Sequence, residues 1–207
     1  YRVGLVPSSV RELVHRGHRV IIESGAGDGI GMDDGRYHLA GARVVESAAE
    51  VFAQAEMIVK VKEPQSQEYA QLREGQLLFT YLHLAPDPKQ ADGLLASGCT
   101  AIAYETVTDD RGHLPLLSPM SEVAGRMSIQ AGAHCLEKER GGGGVVLGGV
   151  PGVAAARVVV LGGGVVGTNA LRVAIGMEGH VTVIDKNIDR LRELDALFGA
   201  QLNTVFA

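Results

Sequence analysis

The chain has no tryptophan and only four phenylalanines and five tyrosines, so its core must be built mainly from aliphatic side chains. Only two cysteines occur, Cys99 and Cys135, in neither metal-ligand nor C-x-x-C spacing. This excludes a disulfide scaffold and a cysteine-bound zinc, and the apolar residues around each cysteine predict buried free thiols. No apolar run approaches the ~20 residues of a membrane-spanning helix. No secretory-signal layout opens the chain, which starts at Tyr1-Arg2-Val3 and reads as lacking its natural start. A net charge of −5 with no long basic run excludes a non-specific nucleic-acid binder but leaves local anion sites open. Internal repeats and low-complexity tails are also absent.

What is present is apolar and rich in glycine. Hydrophobic residues make up 46% of 207, enough for a core in one large domain or two small ones. The glycines cluster at 141–149 and 162–167, so they mark particular turns rather than general disorder.

Along the chain, strand and helix patterns alternate. Residues 8–16 read as a short helix stopped by Gly17, and 18–23 as a strand. Gly25 to Gly31 is a flexible turn, 33–40 a helix, and Val44-Val45 a brief strand. Ser47 and Glu50 have capping-box spacing and open a helix to about Ala53. Strands at 57–62, 76–82 and 99–105 then enclose helices at 66–73 and 87–97. This order predicts an open, mostly parallel sheet buried on both faces.

A long helix follows over about 119–138, with Ser118 as its cap and Pro119 in its first turn. Val123, Met127, Ala131 and Cys135 fall near one stripe of it. The glycine run after it fits either a hinge or a tight surface loop. The predicted fold class is α/β, with two Rossmann-like three-layer parallel-sheet domains. The first spans 1–122. The second, 123–207, holds the connecting helix and the first part of a nucleotide-binding unit that is incomplete at its C-terminal end.

The strongest motif is VVVLGGGVVGTNA, from Val158 to Ala170. It follows a strand and opens a helix. Gly162 permits the tight turn, Gly164 leaves room for a diphosphate, and Gly167 lets helix and strand pack closely. Val165 and Val166 bring free amides and the positive helix end to that diphosphate. Asp185 closes the next strand, 18 residues beyond Gly167. A carboxylate there accepts from both ribose hydroxyls and repels a 2′-phosphate, which favours NAD over NADP. Lys186 and Arg190 nearby keep NADP open, and Arg190 is counted among the cofactor contacts. FAD is disfavoured because its motif usually lies near an N-terminus.

A second cluster sits in the first half. Lys62 and His83 each close a predicted strand, in KVKEP and FTYLH, and ligand clefts lie beyond the carboxyl ends of parallel strands. Histidine titrates in the range needed for proton transfer near neutrality. Lysine offers a point charge for a carboxylate or a developing oxyanion. Lys60 shares a face with Lys62 and competes for that role, and Glu105 ends a strand at the same edge. Ser121, in the first turns of the long helix, has a hydroxyl that could reach a ligand, although from position alone such a residue more often belongs to the helix cap. The remaining histidines read as helix-end, surface or structural residues, none paired at metal-ligand spacing.

Together these segments resemble the alanine dehydrogenases, and more distantly the α subunit of proton-translocating nicotinamide nucleotide transhydrogenase. The resemblance runs through RVGLVP (2–7), IVKVKEP (58–64), LFTYLHLA (78–85), AIAYETV (101–107), SPMSEVAGR (118–126) and the glycine motif. It implies reversible, NAD-dependent oxidative deamination of L-alanine to pyruvate and ammonia. By the same resemblance Arg2 and Lys62 hold the substrate carboxylate and His83 is the acid/base. Tyr81 and Met120 lie close to the pocket, Ser121 helps hold the cofactor, and Asp185 binds its ribose. The family also implies a cytoplasmic homohexamer of longer subunits, so the 207 residues alone are expected to turn over little. The competing readings are an NAD-binding transhydrogenase subunit and a non-catalytic NAD-binding fragment.

Overall fold

The computed structural model describes residues 1–207. The chain divides into two compact units, Tyr1–Leu114 and Pro115–Ala207. The break thus falls ahead of the long helix, which belongs wholly to the second unit.

The first unit contains α1 (Pro7–His15), β1 (Ile21–Glu23), α2 (Asp34–Leu39), β2 (Arg43–Val45) and α3 (Ala48–Gln54). It continues with β3 (Met57–Val59), α4 (Ser66–Tyr69), β4 (Leu77–Thr80), α5 (Pro88–Ser97) and β5 (Thr100–Ala103). Every strand pairing is parallel, as the alternating pattern requires. The strands form two sheets rather than one, β1–β2 and β3–β4–β5. Residues 4 and 5 touch both halves. Gly4 lies backbone to backbone against Val59 and Lys60, and the Tyr37 hydroxyl donates to the Leu5 carbonyl at 2.9 Å.

Each sheet has its own core. Val10, Ile22, Tyr37, Ala40 and Ala42 pack around the first, and Phe52, Ile58, Leu72, Leu78, Leu82 and Leu94 around the second. Strand β4 is central in its sheet, and Leu78 and Thr80 are wholly buried. The capping box at Ser47 is only half formed. Its hydroxyl accepts the Glu50 N–H at 3.4 Å, but Glu50 reaches that hydroxyl, 3.5 Å away, and not the backbone. Asp87 caps α5 by accepting the Gln90 N–H at 3.1 Å.

The second unit contains α6 (Ser118–Cys135), β6 (Arg157–Leu161), α7 (Val165–Gly176), β7 (His180–Asp185), α8 (Ile188–Phe198) and β8 (Leu202–Phe206). Strands β6, β7 and β8 lie side by side, all parallel. The core joins Val160, Leu171, Ala174, Val181, Val183 and Leu194 to Ile129 of α6.

Helix α6 departs from its apolar pattern. Val123 is 48% and Met127 59% exposed, and Ala131 and Cys135 are exposed as well. The buried face carries Gly125 and Ile129 instead. A Cβ on Gly125 would stand 2.1 Å from the Val166 carbonyl oxygen, so the smallest side chain, not the largest, sets where α6 meets α7. This rotation leaves Cys135 in solvent, while Cys99 is half-buried, so neither is the fully buried thiol that its sequence neighbours suggest. Ser118 does not cap the helix either. Leu117 holds that position without a side-chain bond, and Ser118 and Pro119 fill the first turn. The glycine run is a tight loop, in which the Gly142 and Gly144 amides donate to the Glu137 and Leu136 carbonyls at 3.0 and 2.8 Å.

Adding one methyl at the α6–α7 contact tests this packing. Gly125→Ala is expected to lower unfolding free energy by about 1–3 kcal/mol in urea, as overpacked cores do. An unchanged midpoint would show that the helices are not in close contact there.

Candidate functional site

Two clusters of functional groups form, one in each unit, and both lie where parallel strands end. In the first unit β3 and β4 run the same way, so Lys62 and His83 leave the sheet at the same edge. Neither residue closes its strand as the pattern suggested. The ladder stops at Val59 and at Thr80, and both residues stand in the loops that follow. Thr80 ties those loops together: its buried hydroxyl reaches the Val61 and Lys62 carbonyls at 3.1 and 2.9 Å.

The two candidate lysines separate by environment. Lys60 Nζ lies within 2.7 Å of both Glu68 carboxylate oxygens, and both side chains are largely buried. Lys60 is therefore consumed by a structural pair. The Lys62 side chain is 66% exposed, with its Nζ donating to Glu63 at 2.6 Å. Glu63 is held below the usual carboxylate range, first by that Lys62 bond, and it also feels the charge of His83. Lys62 and His83 thus share one neighbour.

Aromatic rings back the same edge. The Tyr81 ring stacks on the His83 ring with centroids 5.8 Å apart and planes 12° apart. Tyr104 meets both Tyr81 and Phe79 edge-on, at 5.0 and 4.3 Å. Burial pushes the Tyr104 phenol up to about 12, so it stays neutral. Burial also raises Tyr81, opposed by the charge of Arg2, which places Arg2 near this cluster.

The backbone here is unusual. His83 has φ 47°, in the left-handed region, which costs a residue with a Cβ about 1–2 kcal/mol. Glu105, in the short 3₁₀ turn after β5, accepts the His83 N–H at 2.7 Å and the Leu82 N–H at 3.0 Å. Burial alone would raise the Glu105 carboxyl, but these amide bonds outweigh it and hold it below the usual range. On the other side of the same loop, buried Gln90 donates from Nε2 to the Leu82 carbonyl at 2.6 Å. Gln90 carries no sequence signal for this role.

In the second unit the glycine motif behaves as three different glycines. Gly162 has φ 88° and turns the chain. A Cβ on Gly167 would sit 1.9 Å from the Gly162 carbonyl oxygen, so strand and helix could not close. Gly164 has φ −66°, and a Cβ there would meet no protein atom within 4 Å. Neither backbone nor packing demands glycine at 164. The open space lies at the amino end of α7, where Val165 and Val166 begin the helix, and it suits a dinucleotide diphosphate approaching the backbone.

Asp185 closes β7 beside this loop. Its carboxylate accepts the Gly163 N–H at 2.6 Å and the Asn187 N–H at 2.8 Å, and the Gly163 bond is the main reason it is held below the usual range. Arg190 reaches in from α8, donating to the Gly163 carbonyl and to the Thr168 hydroxyl, both at 2.7 Å. Beside α7 a cavity of about 370 Å³ is lined by Glu122, Arg126, Val165, Thr168, Asn169, Arg172 and Arg190. Three guanidiniums against one carboxylate give it a positive field suited to phosphate. Arg126 is anchored there by the Asn169 side chain at 3.0 Å. Ser121 lies one turn before Gly125 on α6, with Met120 next to it. Arg2, Lys62, Tyr81 and His83 thus belong to the first unit, and Asp185, Arg190 and the glycines meet in the second, to which Ser121 also belongs.

Known proteins match the chain over its whole length. The family profile for the alanine dehydrogenase/PNT N-terminal domain matches residues 1–124, and that for the alanine dehydrogenase/PNT C-terminal domain matches residues 128–207. The alanine dehydrogenase of Halomonas elongata is 57% identical over the whole chain, which covers 56% of that protein. The alanine dehydrogenase of Bacillus subtilis is 53% identical over 206 residues, 54% of its own length. The chain therefore spans little more than half the length of these relatives. Among solved structures, an L-alanine dehydrogenase superimposes with TM-score 0.91 at 52% identity, over 100% of this chain and 57% of its own. A transhydrogenase from Sinorhizobium meliloti gives 0.82 at 25% identity, over 99% and 60%.

Both gripping carboxylates lie below their unfolded values, which are near 4.5 for Glu105 and 3.8 for Asp185. Their stabilisation is complete above those unfolded values and is lost as pH falls through the lower folded ones. Urea unfolding is expected to show a plateau from neutrality to about pH 5 and a decline below it. Asp185→Asn should make that decline shallower, and an identical slope would show that the Asp185 grip contributes nothing.

Proposed function

Because the chain belongs to the alanine dehydrogenase/PNT family, we propose that it forms part of an NAD-dependent L-alanine dehydrogenase, which interconverts L-alanine with pyruvate and ammonia. The observation that carries this reading is the edge of the first unit, where Lys62, Tyr81 and His83 gather within reach of the charge of Arg2. A protein that only passes hydride between two nucleotides has no use for a cation and an imidazole arranged around a small acid.

Arg2 and Lys62 hold the carboxylate of alanine, two cations on one anion. Lys62 exchanges its Glu63 partner for the substrate. His83 takes the proton that leaves the alanine ammonium, so the amine lone pair can form the iminium as hydride departs from Cα. After releasing that proton to solvent, it takes one from the water that adds to the iminium carbon and returns it to the nitrogen, then takes the proton of the new hydroxyl as ammonia leaves and pyruvate remains. NAD, when bound, supplies the acceptor for the hydride. Tyr81, stacked on the imidazole, limits its rotation.

The second unit holds the cofactor. The space at Gly164 and the amides of Val165 and Val166 receive the diphosphate, and Asp185 receives the ribose hydroxyls. Asp185 also disfavours a 2′-phosphate, which supports NAD over NADP. Ser121 and Arg190 complete the contacts. The division of labour therefore assigns substrate to the first unit, Tyr1–Leu114, and nucleotide to the second, Pro115–Ala207. The homohexamer and the cytoplasmic setting belong to the same proposal; no helix of the structure is long and apolar enough to cross a membrane.

NADH formation from L-alanine and NAD, assayed with the 207-residue chain and with the full product of its gene, tests the reading. Lys62→Ala should raise KM for alanine by about tenfold or more, the loss of a charge-assisted contact. His83→Ala should lower kcat by about 10²–10⁴. NAD binding without alanine-dependent NADH in either preparation would overturn the proposal and favour a transhydrogenase-type or purely binding role.

A further inference from the structure

The chemistry proposed for His83 depends on where its ring points, and the ring direction is set by a backbone conformation that the residue does not favour. His83 follows the end of the buried central strand, and its φ of 47° turns the chain sharply. Leu82, just before it, has a buried side chain and cannot rotate to relieve the turn. The peptide groups around it must find partners outside the ladder.

We propose that Glu105 is a positioning residue for His83, its carboxylate fixing the left-handed turn that aims the imidazole. This rests on the alanine dehydrogenase reading above. One oxygen, Oε1, accepts both consecutive amides, from Leu82 at 3.0 Å and from His83 at 2.7 Å, and Oε2 makes a longer second contact to the Leu82 N–H at 3.3 Å. Two adjacent N–H groups converge on one acceptor only when the chain curls around it, so the bonds and the left-handed turn require each other. Gln90 closes the other side by donating to the Leu82 carbonyl at 2.6 Å. Glu105 itself stands just past β5, the parallel neighbour of β4, so one strand end supplies the acceptor for the next.

The Tyr81 ring lies flat against the imidazole, a contact on the face of the ring that leaves it to Glu105 to hold the backbone turn. Without the Glu105 acceptor, the turn opens toward negative φ and the imidazole leaves the Tyr81 face. Because Oε1 makes the shorter bond to each amide, the neutral carbonyl of glutamine can replace it, giving up only the longer Oε2 contact to Leu82. A shortened or absent side chain cannot.

The test compares wild type, Glu105→Gln and Glu105→Ala in the full product of the gene. Glu105→Ala should lose kcat on the order of 100-fold, the cost of a misplaced reacting group, with NAD affinity unchanged. Glu105→Gln should recover most of that loss. Hydrogen exchange of a peptide covering residues 80–86 gives a readout independent of turnover: exchange should accelerate about tenfold or more in Glu105→Ala and stay slow in Glu105→Gln. Should Glu105→Ala fail to fold, Glu105→Asp, which keeps the charge but shortens the reach, takes its place with the same expected losses. Normal kcat and slow exchange in the alanine or aspartate variant would overturn the proposal, as would a glutamine variant no better than alanine. If wild type forms no NADH from alanine, the functional reading fails, and the exchange comparison alone decides whether Glu105 holds the turn.

Discussion

A parallel strand that ends leaves backbone groups with no partner in the ladder, and both chemical clusters of this chain are built on that constraint. In each unit one stretch of backbone just beyond a strand is held from two sides by side chains. At Leu82 the N–H goes to Glu105 and the carbonyl to Gln90. At Gly163 the N–H goes to Asp185 and the carbonyl to Arg190. Water could satisfy these groups equally well in a loose loop. Side chains satisfy them at fixed distances, and that places the residue that follows: His83 in one unit, Gly164 and the start of α7 in the other.

The same economy governs charge. Lys60 and Lys62 are two residues apart and chemically identical, yet one is locked to Glu68 in a largely buried pair and the other stands in solvent. A buried lysine without Glu68 would be costly, so Lys60 is not available to a substrate. The exposed Lys62–Glu63 pair contributes little to stability and is correspondingly easy to exchange. Any other carboxylate that reaches Lys62 competes with Glu63 on nearly equal terms, which a buried pair would not allow.

The readability of the sequence followed the range of the interactions. The glycine motif, its helix and Asp185 were legible because turn, helix start and strand end are set by residues close together in the chain. The parallel pairing followed from alternating elements of the right length. The apolar stripe of α6 misled because Gly125, meeting Val166 some forty positions away, decided which face is buried. The exposure of Cys135 follows from the same rotation. The choice between Lys60 and Lys62 depended on Glu68, and the hold on His83 depended on Glu105 and Gln90. Periodicity does not register contacts of that kind, and a left-handed histidine leaves no trace in composition.

The glycines at 162, 164 and 167 show how a structure separates fold from function within one motif. Two of them are explained without a ligand. Gly162 is required by its positive φ and Gly167 by the carbonyl against which it packs. A protein that kept the turn for structural reasons alone would need only these two. Gly164 adopts a backbone conformation open to any residue and faces empty space. Glycine costs conformational entropy on folding, and here the fold returns nothing for it. On the proposed reading, the reason is a ligand that approaches the backbone more closely than a methyl group allows. The neighbouring helix amides and guanidiniums make that ligand an anion, and the carboxylate of Asp185 beside them suits hydroxyl donors. A diphosphate joined to a ribose meets both demands.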